Sequence, residues 1–183
     1  MRLSLRPPGT EPSVLFGNAR MLVDTEALQF IGFSTALFLL CGALALIDVR
    51  RGIIPDGMNL SIAGLGLVKI VVAGGAMAGI EAGCEGAVIA LTFWLLRRLY
   101  FAWRKIQGLG LGDVKFLAAA TPWIGIAGIP TLLLVATLTA LAAAGSLQLA
   151  GRGMTRQTSL PFGPFLAIGL LLTFVSQQLL GTF

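Results

Sequence analysis

Apolar residues run in long blocks along this chain, and polar residues collect in the short stretches between them. A helix that crosses the hydrocarbon core of a bilayer needs about 20 mainly apolar residues. Blocks of that kind fall over 27–49, 58–80, 83–101, 130–150 and 162–180. A shorter block starts at Asp113 and is broken near Gly125, Gly128 and Pro130. The pattern predicts an all-α, polytopic membrane protein with about six transmembrane helices. Residues 1–26 are mixed and polar, with no early apolar core of a secretory signal. They read as a tail of unknown role, and 27–183 as one transmembrane domain.

Composition agrees. Of 183 residues, 56% are hydrophobic and 11% charged, and the mean hydropathy is +0.90. A soluble domain carries about 25% charged residues. The net charge of +5 therefore reports topology and contact with anionic membrane lipids, not nucleic acid. Arg50 and Arg51 follow the first block, Arg97, Arg98, Arg104 and Lys105 the third, and Arg152 and Arg156 the fifth. With six spans these three loops share one side, which the positive-inside rule makes cytoplasmic. The opposite loops, 79–85 and 127–129, hold no Lys or Arg, although Arg2, Arg6 and Arg20 fall on their side.

Candidate chemistry is sparse. There is no histidine, and Cys41 and Cys84 stand alone in apolar surroundings, so the sequence offers no zinc site and implies no cofactor. Among the eight acids, Glu11, Asp24 and Glu26 lie in the tail, and Glu81 and Glu85 in an outer loop. Asp48, Asp56 and Asp113 all map to the cytoplasmic boundary, where a carboxylate is costly unless paired, solvated or functional. Asp48 ends the first helix and Asp113 opens the fourth. Two carboxylates from different helices at one level are the apparatus of an aspartic protease, in which one is ionised while the other keeps its proton. Asp113 equally suits a helix N-cap, and Asp48 a juxtamembrane charge paired with Arg51. Asp56, in Pro55-Asp56-Gly57, reads as a turn opening the second helix. Lys115 is either an interfacial anchor or a charge tuning Asp113. Gly110 and Gly112 permit close backbone approach. Pro161 and Pro164, around Phe162-Gly163, predict an extended entry to the last helix.

Three stretches carry a resemblance. "GLGLGDVKF" (108–116) contains Gly-x-Gly-Asp, "IDVRRGIIPDGMNL" (47–60) an aspartate followed by Ile-Pro-Asp, and "LPFGPFLAIG" (160–169) a Pro-Phe-Gly-Pro. In that order they resemble the type IV prepilin peptidases, membrane aspartic endopeptidases of the bacterial inner membrane. The resemblance implies Asp48 and Asp113 as the catalytic pair. It also implies a prepilin or pseudopilin as partner, cut at the cytoplasmic face while its apolar helix stays in the bilayer. Gly110, Gly112, Lys115, Pro55, Asp56, Pro161, Phe162, Gly163 and Pro164 then shape the substrate site. Larger members carry an N-terminal cytoplasmic domain with paired cysteines associated with methylation; the short tail has neither, so peptidase activity alone is expected. The presenilin and signal-peptide-peptidase branch shares Gly-Leu-Gly-Asp but not the Pro-Phe-Gly-Pro context. A proton-coupled transporter calls for acids near the midplane, and a non-catalytic assembly component is the remaining alternative.

Overall fold

The structure, a computed structural model, describes residues 12–105, 110–149 and 161–181, with side chains from Ala27 onward. Arg152, Arg156 and the side chains of the tail lie outside the described residues. Four helices make up the regular structure there: α1 (Pro12–Arg51), α2 (Asp56–Arg104), α3 (Leu111–Leu149) and α4 (Gly163–Leu180). Each holds a stretch long and apolar enough to cross a membrane. Two compact units meet within α1, Met1–Ala36 and Leu37–Phe183, and the packing that follows belongs to the second.

Four helices stand where about six spans are expected, and the difference lies at two glycines. α2 has 49 residues and α3 has 39, about 74 and 58 Å if straight at 1.5 Å per residue, far beyond a bilayer core of about 30 Å. Neither is straight. Gly75 (φ 81°, ψ 179°) interrupts α2 and Gly125 (φ 65°, ψ 172°) interrupts α3, in a region of backbone space that is essentially glycine-only. At Gly75 the chain doubles back. A Cβ on Gly79 would collide with the side chain of Val71, whereas residues eight apart in a continuous helix are separated by about 12 Å. Asp56 and Trp94, each nineteen residues from Gly75, line one cleft. The two arms, 56–74 and 76–104, are thus antiparallel.

The turn expected at 79–85 thus falls at Gly75, and Glu81 and Glu85 become helical residues of the second arm. Gly75 sets the corner because its φ of 81° is cheap for glycine alone. α1 begins at Pro12, and its stretch fit to cross a membrane runs over Ala27–Arg51.

The short first arm of α3, 111–124, sits at the centre. Val114, Phe116, Leu117, Ala119, Ala120, Thr121, Pro122, Trp123 and Ile124 are all buried, and the accessible side of this arm is the Leu111, Lys115 and Ala118 face. Both arms of α2 pack on it. Trp123 donates its indole N–H to the Ile62 carbonyl at 2.9 Å, and a Cβ on Gly86 would lie 3.2 Å from the Ala118 carbonyl oxygen. α4 lies antiparallel to the second arm of α3: Gly169 abuts Leu132 and Ala136, and Gln177 donates to the Ile124 carbonyl at 3.0 Å. Phe174 meets Trp123 edge to face at 5.8 Å, with the Lys69 ammonium over both rings at 5.0 and 5.3 Å. In α1, Leu37, Cys41, Leu44 and Asp48 are buried, a stripe at the four-three-four spacing of one helix face.

Candidate active site

The sequence between α1 and α2 sets the first wall of the site. α1 ends at Arg51 because Gly52 takes φ 65° and donates its N–H to the Asp48 carbonyl at 2.7 Å, a left-handed C-terminal cap that glycine supplies without a Cβ penalty. Ile53 to Pro55 then run without regular structure. Pro55 is extended (φ −66°, ψ 136°) and precedes the first residue of α2, Asp56. Its carbonyl accepts the N–H of Met58 and Asn59.

Gly110 begins α3 in the same way, accepting the Val114 N–H at 3.3 Å. Asp113 is the third residue of the helix, not its cap, and its carboxylate folds back to accept the Gly110 backbone N–H. That is the reach of an acid at the third position in a capping box. A Cβ on Gly110 would stand 3.0 Å from the Asp113 carboxylate, and one on Gly112 would stand 3.2 Å from the Ile54 side chain. Both glycines are therefore set by close approach.

α4 supplies the third wall. Phe162 is already at helical φ/ψ (−87°, −19°), so the entry is not extended there as the prolines predict. Pro164 fits the first turn, where its missing N–H goes unneeded, and the Phe162 carbonyl accepts from Phe165 and Leu166. The N–H of Gly163, one of the donors a helix start leaves free, goes to the Asp48 carboxylate at 2.8 Å, 115 residues away in sequence. Asp48 is only 4% exposed. Its partner is this amide rather than Arg51, which is exposed. A Cβ on Gly163 would lie 2.6 Å from the same oxygen, so glycine is required for α4 to start here.

Asp48, Gly110, Gly112, Asp113, Pro161 and Phe162 line one cavity of about 510 Å³. Asp48 and Asp113, from α1 and α3, are its two titratable groups among the described residues. Asp56 and Lys115 are not part of it. Lys115 reaches across to α2 and holds both Asp56 oxygens at 2.7 Å, and this pair lines a separate cleft. Asp113 and Lys115 are two residues apart, about 200° around a helix, and such neighbours face opposite ways. Pro55 and Pro164 shape the two helix starts without lining either space. One residue escaped the sequence reading. Asn59, 5% exposed, extends its amide toward the Gly112 carbonyl at 3.4 Å. Its signal was an amide on the buried side of an apolar helix, three residues after Asp56.

Apolar helices that double back at glycines, with two aspartates in one cavity at one end, define an integral membrane protein. Residues 35–145 match the type IV leader peptidase family, and the chain belongs to that family. A prepilin leader peptidase/N-methyltransferase of Burkholderia pseudomallei (strain 1026b) is 38% identical over 143 residues, 75% of this chain and 45% of that protein. One from Xanthomonas campestris pv. campestris is 34% identical over 140 residues, 73% and 46% of the two chains. One from Neisseria gonorrhoeae is 30% identical over 181 residues, 97% and 60%. The chain spans about half the length of these relatives. No solved structure matches it significantly.

Proposed function

We propose that this chain is an aspartic endopeptidase of the bacterial inner membrane that removes the short basic leader from a prepilin or pseudopilin at the cytoplasmic face. The observation that carries the reading is the shared cavity of Asp48 and Asp113 in a member of the leader peptidase family. The mechanism needs one carboxylate ionised and the other protonated, a division that neighbouring acids favour. The ionised carboxylate takes a proton from water as that water attacks the scissile carbonyl carbon. The protonated one donates to the carbonyl oxygen. Collapse of the tetrahedral intermediate breaks the C–N bond, with the proton on the first carboxyl passing to the leaving amine, and the second carboxyl recovers its own. Gly110, Gly112, Pro161 and Phe162 wall the space with backbone and one aromatic ring, which suits an unwound peptide. The cytoplasmic orientation rests on the basic residues at that end, Arg50, Arg51, Arg97, Arg98, Arg104 and Lys105.

The test is co-expression with candidate prepilins and mass spectrometry of the substrate's N-terminus. Wild type is expected to release the leader, while Asp48→Asn and Asp113→Asn insert normally and leave it attached. Normal cleavage by both variants would sink the paired-aspartate mechanism.

A further inference from the structure

On the opposite face of α3's first turn from the aspartate cavity lies a larger cleft of about 790 Å³, walled by both arms of α2 and the first arm of α3. It extends from Asp56 to Leu67 along α2, eleven residues or about 16 Å, half the thickness of a bilayer core. Small residues from all three arms alternate with leucines along its walls. Ala63, Gly83, Ala87, Ala90 and Ala118 line it, and a Cβ built on Gly83 meets nothing within 4 Å. Small residues on neighbouring membrane helices are what allow another helix backbone to come close.

Polar groups stand at one end only, and one of them lacks a partner. The Asn59 amide nitrogen points to the Gly112 carbonyl, which fixes the orientation of the side chain and leaves Oδ1 as its other end. That oxygen is buried and has no hydrogen-bond partner among the described residues, in a residue that lines the cleft. A buried acceptor without a donor costs about 1–3 kcal/mol, and no described residue supplies one, which favours a ligand that brings donors to this end of the cleft. Lys115 does not supply it, being held by Asp56. A phospholipid phosphate would set acceptors against acceptors. The first turn of a helix, by contrast, presents up to four free N–H groups and the positive end of its dipole.

We propose that this cleft receives the apolar helix of the substrate, entering with its N-terminus at the Asn59 end. The proposal rests on the peptidase reading above and extends it. Gly112 connects the two spaces: its carbonyl receives Asn59, and it lines the aspartate cavity together with Asp113. Peptide that precedes a helix docked in the cleft passes over α3's first turn and arrives at the carboxylates. The scissile bond is thereby measured from the start of the substrate helix.

The experiment uses the full chain in detergent or proteoliposomes and two synthetic substrates. One carries a basic leader and a single apolar helix, and the other is a short soluble peptide spanning the same cleavage site. Gly83→Leu and Ala87→Leu fill the cleft without touching the aspartate cavity. Both are expected to raise KM for the helix-bearing substrate about tenfold with kcat within about twofold, and to leave turnover of the short peptide unchanged. Benzoylphenylalanine at position 87, in an Asp113→Asn background, is expected to crosslink to the substrate helix. Unchanged KM in both variants, or crosslinks from position 87 to phospholipid alone, would overturn the proposal while leaving the peptidase reading intact. If the wild type cleaves neither substrate the peptidase reading falls, and the crosslink still decides whether the cleft takes the helix.

Discussion

Two faces of a single helical turn do different jobs here. On one face of α3's start, Asp113 looks into a cavity it shares with a buried aspartate from α1, which the α4 start holds through a backbone N–H. On the other face, Lys115 binds an aspartate whose side chain is 73% exposed, at the mouth of an apolar cleft. Both faces carry an acid that the sequence sets near the membrane boundary. They differ in what surrounds it. Asp48 is held by a donor that cannot swing away, because the amide belongs to a packed helix start. Asp56 is held by a flexible lysine that water also reaches. The first arrangement fixes a carboxylate in place, and the second ties two helices together.

The largest effect that separates the faces comes from the carboxylates themselves. Asp48→Asn and Asp113→Asn are expected to lower leader cleavage by about 10³-fold or more, the usual scale for losing an acid or base partner, read by mass spectrometry of the substrate with normal membrane insertion. Gly163→Ala comes next. Its methyl group would enter the Asp48 carboxylate, and a displacement of about 1 Å costs about 10²-fold, measured as kcat/KM. Gly64→Ala, where an added Cβ meets nothing within 4 Å, is the matched control expected to cleave normally.

Smaller effects follow. Gly75→Ala and Gly125→Ala force a side chain into backbone regions that cost about 1–3 kcal/mol, so thermal unfolding in detergent is expected at lower temperature than for wild type. Asp56→Asn and Lys115→Met belong at the bottom of the scale. Their ion pair is partly exposed, and such pairs contribute about 0–1 kcal/mol. Cleavage is expected to fall no more than about fivefold, and the double variant to behave like either single one. A loss at Asp56 as deep as that at Asp48 would erase the contrast between the two faces.

Much of this was legible from the chain. The apolar blocks named the fold class because a bilayer leaves a backbone little choice but the helix. Asp48 and Asp113 stood out as acids at the ends of apolar blocks, and the structure brings them to one cavity. The position of the turn within α2 was not legible. Glu81 and Glu85 drew it toward 79–85, yet hydropathy marks where a helix tolerates water, and the corner falls where the backbone can take φ > 0 beside a packed Val71. Phe162 offered a similar lesson, since flanking prolines favour extended backbone and the helix start overrode them.

What the sequence by itself determined is therefore local: helices, their approximate number once Gly75 and Gly125 are counted as breaks, and the end of the bundle at which the acids gather. These follow from the free energy of each segment in its solvent. Tertiary structure alone decided the partners. Lys115 goes to Asp56 across 59 residues, Asn59 reaches Gly112 across 53, and Gly163 meets Asp48 across 115. Hydrogen bonds act over about 3 Å, so which groups come within that reach is a property of packed helices and of no single stretch of chain.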